Sequence, residues 1–162
     1  EVTPTSVFFA IKGVLRDGHD FIPDVCEKGC LAIIAEQEVE VPENVHLIVV
    51  KDTHEALALM ASNFYDEPST KLKLVGVTGT NGKTTVSTLL FRLYSKLGYQ
   101  CGLISTVVNR ICEREIPTSH TTPNPIILNQ LLAEMVEEGV SHCFMEVSSH
   151  AIHQNRILGL RY

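Results

Sequence analysis

Val75-Gly76-Val77-Thr78-Gly79-Thr80-Asn81-Gly82-Lys83-Thr84-Thr85 runs from an apolar strand through a Gly-rich turn to a lysine and two threonines, the order of parts that holds phosphate. Gly79 and Gly82 open backbone conformations closed to residues with a Cβ, so successive N–H groups can face one concavity. Lys83 brings a point charge for the β- and γ-phosphates and Thr84 a hydroxyl for Mg²⁺. The helix expected from about Thr84 turns its positive dipole end on the same anion. Walker spacing asks for glycine five residues before Gly82, and Val77 stands there. A plain strand-to-helix turn with a solvated Lys83 is the alternative; a strand before and a helix after favour phosphate. The expectation is a nucleoside triphosphate site.

The 162 residues are 44% hydrophobic and 20% charged, ordinary globular composition for one domain or two small ones. A net charge of −6 and the lack of any basic run argue against a general nucleic-acid binder. No apolar stretch approaches the roughly 18 residues of a membrane span. The opening Glu1-Val2-Thr3-Pro4 carries no basic region or cleavage signal, so the expected location is cytoplasmic, with no membrane partner. The five cysteines lack paired zinc-type spacing and read as buried or idle thiols, with Cys26 and Cys30 expected along one helix.

Outward from the phosphate turn, apolar runs predict strands over 7–11, 31–35 and 46–50, with a helix over 20–28 stopped by Gly29 and another from Asp52 or Thr53 through Phe64. These make a small α/β unit over residues 1–66. The polar stretch Asp66-Glu67-Pro68-Ser69-Thr70 suggests a linker, placed at 67–72. A parallel-sheet domain follows over 73–162: a strand over 72–77, a helix over 84–97 ending at Gly98, and a neighbouring strand over 101–105. Then come a hairpin over 107–117, a helix over 126–138 ending at Gly139, and a strand over 142–147.

In open parallel α/β sheets ligands gather at the carboxyl ends of the strands, where Glu146 falls. An unpaired carboxylate there is costly unless a divalent ion or water meets it; a surface or cap carboxylate is the other reading. Ser148, Ser149 and His150 lack the elbow and the separately supplied base of a serine nucleophile, and are expected to donate hydrogen bonds to a ligand. Gln154 and Arg156 follow, Arg156 suiting a carboxylate or phosphate. His120-Thr121-Thr122-Pro123 reads equally as a helix N-cap and as a ligand contact.

Taken together, Thr78 to Thr85, His120-Thr121-Thr122-Pro123 and Met145-Glu146-Val147-Ser148-Ser149-His150 resemble the Mur ligases, specifically the MurE type. The loop alone is shared with other Mur ligases, folylpolyglutamate synthases and cyanophycin synthetases. The Glu-Val-Ser-Ser-His run with Gln154 and Arg156 is similar to the MurE pattern. The resemblance implies an ATP- and Mg²⁺-dependent ligase joining a diamino acid, diaminopimelate or lysine, to UDP-N-acetylmuramoyl-L-alanyl-D-glutamate through an acyl phosphate. It implies ATP held by Gly79, Thr80, Asn81, Gly82, Lys83, Thr84 and Thr85, with Lys83 catalytic on the terminal phosphates, and Mg²⁺ by Thr84 and Glu146. The muramoyl peptide would meet Thr121, Thr122, Ser148, Gln154 and Arg156, and the uridine part Val14, Leu15 and Arg16 through backbone.

Phe8-Phe9-Ala10-Ile11-Lys12-Gly13 through Asp17-Gly18-His19 is similar to that family's UDP-binding domain, though Thr5 and Ser6 stand where Gly-Asp is usual. The family's third domain, its carbamylated lysine and its diamino-acid motif are expected beyond these residues, making the chain a fragment truncated at both ends, inactive alone and monomeric. A related ligase of the superfamily and a non-catalytic nucleotide-binding module are the alternatives.

Overall fold

The computed structural model describes residues 2–13, 16–118 and 120–162. Contacts divide the chain into two units, 1–57 and 58–162. In the first, β1 (Val7–Phe9), β2 (Ala32–Ala35) and β3 (His46–Val49) form a parallel sheet in that order. The central strand β2 is Ala-Ile-Ile-Ala and buried throughout, the continuous apolar run that a strand covered on both faces requires. Ile33 and Ala35 pack with Ala10, Ile22, Val25, Cys30 and Val45.

Helix α1 (Ile22–Glu27) is shorter than the predicted span. Asp17 caps a separate 3-10 turn over Gly18–Phe21, and proline sits in the first turn of α1. Gly29, at φ +77°, ends it. Cys26 and Cys30 therefore do not share a helix: Cys30 lies past the stop, buried at the entrance to β2. Burial raises the Cys26 thiol pKa, with Cys30 adding to the shift.

Helix α2 (Thr53–Phe64) begins in the first unit and ends in the second. The segment expected as a linker is folded: Pro68–Thr70 form a 3-10 turn with Pro68 and Ser69 buried, and Ser69 Oγ accepts the Arg161 N–H at 3.1 Å.

The second unit continues through β4 (Lys73–Val77), α3 (Lys83–Lys96), β5 (Cys101–Ile104), β6 (Asn109–Ile111), β7 (Arg114–Ile116), α4 (Pro125–Glu137), β8 (His142–Glu146) and α5 (Ser149–His153). The sheet order is β4-β8-β5-β6-β7, parallel across β4, β8 and β5 and antiparallel through the β6–β7 hairpin. The segment at 101–105 was expected beside β4; β8 lies between them, because the crossover through α4 returns the chain to the middle of the sheet.

Strand alternation then places the chemistry. Cys143, Met145 and Val147 join Leu128, Leu132 and Met135 of α4 in one core. Phe144 joins Phe91 of α3, Cys101 and Leu103 on the other face. Two residues past Phe144, Glu146 falls on the α3 face at the sheet's carboxyl edge.

Candidate functional site

Gly79 (φ +142°) and Gly82 (φ +81°) hold the turn between β4 and α3 in conformations that L side chains rarely adopt. Gly82 is the N-cap, so α3 starts at Lys83 with its free N–H groups at the loop. Lys83 Nζ donates to the Gly79 carbonyl at 2.7 Å, laying the ammonium across the loop. Thr80, Asn81 and Thr85 are exposed around it.

Glu146 is 1% exposed. Its Oε2 accepts the Thr84 hydroxyl at 3.0 Å and the Thr106 hydroxyl at 3.1 Å, and its Oε1 accepts the Thr106 N–H at 2.8 Å. A buried carboxylate without such partners would be costly, and three donors offset that. The phosphate turn is thus joined, through the first turn of α3, to an acidic side chain on the adjacent strand.

Around this pair the structure gathers most of the other expected residues. Thr122 is buried, and its hydroxyl donates to the Glu146 carbonyl at 2.8 Å while accepting the Ser148 N–H at 3.1 Å. It clips the end of β8; of the two readings of this turn, N-cap and ligand contact, the cap falls to Asn124, which accepts from the Ile127 N–H. Ser148 caps α5 by accepting the Ala151 N–H at 3.2 Å, and Ser149 and His150 lie in that helix. Arg156 donates through Nη1 to the Thr122 carbonyl at 2.9 Å and through Nε and Nη2 to Gln154 Oε1 at 2.9 and 2.6 Å. Thr121 is half-buried, 3.1 Å from the Thr106 hydroxyl. Thr122 thus joins the end of β8, Ser148 and Arg156, Arg156 holds Gln154, and Thr121 meets Thr106.

Val14 and Leu15 lie outside the described residues. Arg16 is exposed, and its carbonyl accepts the Gly13 N–H at 2.9 Å inside a turn closed by the antiparallel bridge between Lys12 and Asp17. Asp17 accepts the His19 N–H at 3.0 Å and pairs with the His19 ring at 2.6 Å, which together lower its pKa.

Thr106 was not foreseen. The available signal was positional: it follows the buried strand β5, whose register sets Ile104 beside Met145 and so carries the next two residues past Glu146. Reading it required knowing that β5 borders β8.

The donor set fits a small hard cation. Glu146 and Thr84 offer oxygen only, and Mg²⁺ commonly takes one or two protein oxygens and completes its shell with phosphate and water. Among the described residues there is no cluster of three or more His, Cys, Asp or Glu able to hold a metal by itself. No helix among them is long and apolar enough to cross a membrane.

Both units of the chain are similar to known proteins. The family model described as Mur ligase middle domain matches residues 77–162, and that described as Mur ligase family, catalytic domain, matches residues 1–65. A UDP-N-acetylmuramoyl-L-alanyl-D-glutamate--2,6-diaminopimelate ligase of Cytophaga hutchinsonii is 57% identical over 100% of this chain and 34% of its own length. The protein of that name from Geobacillus thermodenitrificans is 46% identical over 99% of this chain and 32% of its own. The chain thus spans about a third of the curated relatives it matches. A solved ligase of the same name superposes with TM-score 0.76 at 26% identity, covering 98% of this chain and 33% of that one. A MurF ligase from Thermotoga maritima in complex with ADP gives TM-score 0.57 at 26% identity, covering 92% and 30%. With a phosphate turn, a buried carboxylate beside it and family models over both units, the chain belongs to the Mur ligase family.

Proposed function

We propose that this chain forms the nucleotide-binding part, with much of the muramoyl-peptide site, of an ATP-dependent ligase of the MurE type. The ligase adds a diamino acid to UDP-N-acetylmuramoyl-L-alanyl-D-glutamate in peptidoglycan synthesis. The observation that carries the reading is the Thr84–Glu146 contact, which puts a buried carboxylate within one hydrogen bond of the phosphate turn. The Cytophaga hutchinsonii relative carries the substrate and 2,6-diaminopimelate in its name.

In this reading residues 1–66 hold the UDP part, 67–72 connect, and 73–162 hold ATP at Gly79 to Thr85. Lys83 swings from the Gly79 carbonyl onto the terminal phosphates as the γ-phosphoryl group passes to the D-glutamate side-chain carboxylate. The amine of the diamino acid then attacks the acyl phosphate, and phosphate leaves. Thr84 and Glu146 would hold Mg²⁺, which when bound neutralises phosphate charge. Thr122 and Ser148 set the edge against which the muramoyl peptide lies, with Thr121, Gln154 and Arg156. Most of the rate comes from positioning and charge neutralisation. The protein acts in the cytoplasm as a monomer, without nucleic-acid or membrane partners.

The test is phosphate release by a full-length ligase carrying this sequence. Release is expected with ATP, Mg²⁺, the UDP-muramoyl dipeptide and diaminopimelate or lysine. Release with a folate and glutamate instead would assign it to another branch of the superfamily. An absence of isotope scrambling in ATP with every acceptor would leave only a nucleotide binder.

A further inference from the structure

Thr106 carries none of the roles assigned above, yet it touches both halves of the site. Its N–H holds Glu146 Oε1 at 2.8 Å. Its hydroxyl lies 3.1 Å from Glu146 Oε2 and 3.1 Å from Thr121 Oγ1. A hydroxyl has one hydrogen, so it serves these two acceptors one at a time. An ionised carboxylate is the stronger acceptor, and the hydrogen rests on Glu146 while Oε2 is free of any cation. Glu146 and Thr84 would hold a divalent cation, whose charge would repel that hydrogen and leave the Thr106 hydroxyl to turn to Thr121. Thr121, now accepting, has its own hydroxyl polarised and its hydrogen directed away from Thr106, ready for a ligand oxygen.

We propose that Thr106 is a positioning residue coupling cation occupancy at Glu146 to the donor state of Thr121, so that the cation tightens binding of an anionic oxygen of the muramoyl peptide. The inference rests on the functional reading above. Linkage requires the converse: the peptide tightens the cation by the same factor. The backbone bond to Oε1 does not depend on the side chain, so Thr106→Val breaks the relay while Glu146 stays held at Oε1 by the residue-106 N–H and at Oε2 by Thr84.

The experiment is a calorimetric titration of a full-length ligase carrying this sequence with UDP-N-acetylmuramoyl-L-alanyl-D-glutamate, without ATP, with and without saturating Mg²⁺. The expected result is tightening by Mg²⁺ of about 5- to 10-fold, the low end of ordinary coupling energies. In Thr106→Val the ratio falls to about 1, and in Thr106→Ser it is kept. Thr121→Val, which removes the other end of the relay, should lose the Mg²⁺ dependence as well. Undiminished Mg²⁺ dependence in either valine variant, or none in the unaltered protein, overturns the coupling and leaves the functional reading standing. Failure of the nucleotide-peptide to bind the unaltered protein under both conditions overturns that reading and the coupling with it.

Discussion

Glu36 in the first unit and Glu146 in the second use one device for different ends. Each sits at the carboxyl end of a strand with parallel neighbours on both sides, and each accepts the N–H and the hydroxyl of a single threonine. Glu36 follows β2 and takes both bonds from Thr53 on Oε1, 2.9 Å each. Thr53 is fully buried and opens α2, so the pair anchors a helix start. Glu36 itself is exposed, whereas Glu146 is buried and engages both oxygens. It also receives Thr84 from the phosphate turn. A threonine clasp on a strand-end carboxylate therefore does not by itself single out a site; what sets Glu146 apart is its burial and a third donor at the start of α3.

The sharpest way to break the comparison is to neutralise each carboxylate. Glu146→Gln keeps the shape but halves the acceptor capacity and removes the charge, and steady-state phosphate release by the full-length ligase should fall about 100-fold or more. Glu36→Gln should leave that rate within about 2-fold, since the bonds of Glu36 go to Thr53 at the start of α2; equal losses in both would mean the two clasps are equivalent. Next in size is stability. Glu36→Ala leaves the buried Thr53 donors without their acceptor and should cost about 1–3 kcal/mol, read as a lower denaturant midpoint of the first unit.

The Thr53 bonds also hold the Glu36 pKa below its usual 4.5, which gives a pH signature. A depressed carboxylate stabilises the fold above its unfolded pKa. That contribution should be lost as pH falls from about 4.5 through the lowered value, and Glu36→Gln should flatten this part of the midpoint-versus-pH curve. The smallest effect expected is at His142, packed against Tyr94 and Tyr99, where burial first and Lys73 second lower the pKa from 6.5. The unfolded chain takes up a proton first, so stability should decline as pH drops below 6.5, and His142→Phe should remove that slope from thermal unfolding curves.

Much of this was legible from residue order. The phosphate turn, the helix after it and the strand ending in Glu146 rest on local patterns: glycines where φ is positive, a 3.6-residue period, an apolar run. The hairpin at 109–116 was equally local, and Arg114, reaching Glu134 and Glu138 at 2.9 and 2.7 Å, ties it to α4. The α1 boundary was misplaced because a separately capped 3-10 turn precedes the helix, and Cys30 was assigned to a helix that Gly29 had already ended. Thr122 read as a cap or a contact, but its role depends on where β8 ends, 24 residues further along the chain.

By itself, then, the sequence determined the elements, the phosphate turn and the family, because each depends on neighbours within a few turns of chain. The tertiary structure alone decided that β8 lies between β4 and β5. From that order follows the meeting of Thr84, Thr106 and Glu146 across 62 and 40 residues. Strand order is set by which apolar faces pack on α3 and α4 together, a sum over distant contacts that no single stretch of residues records.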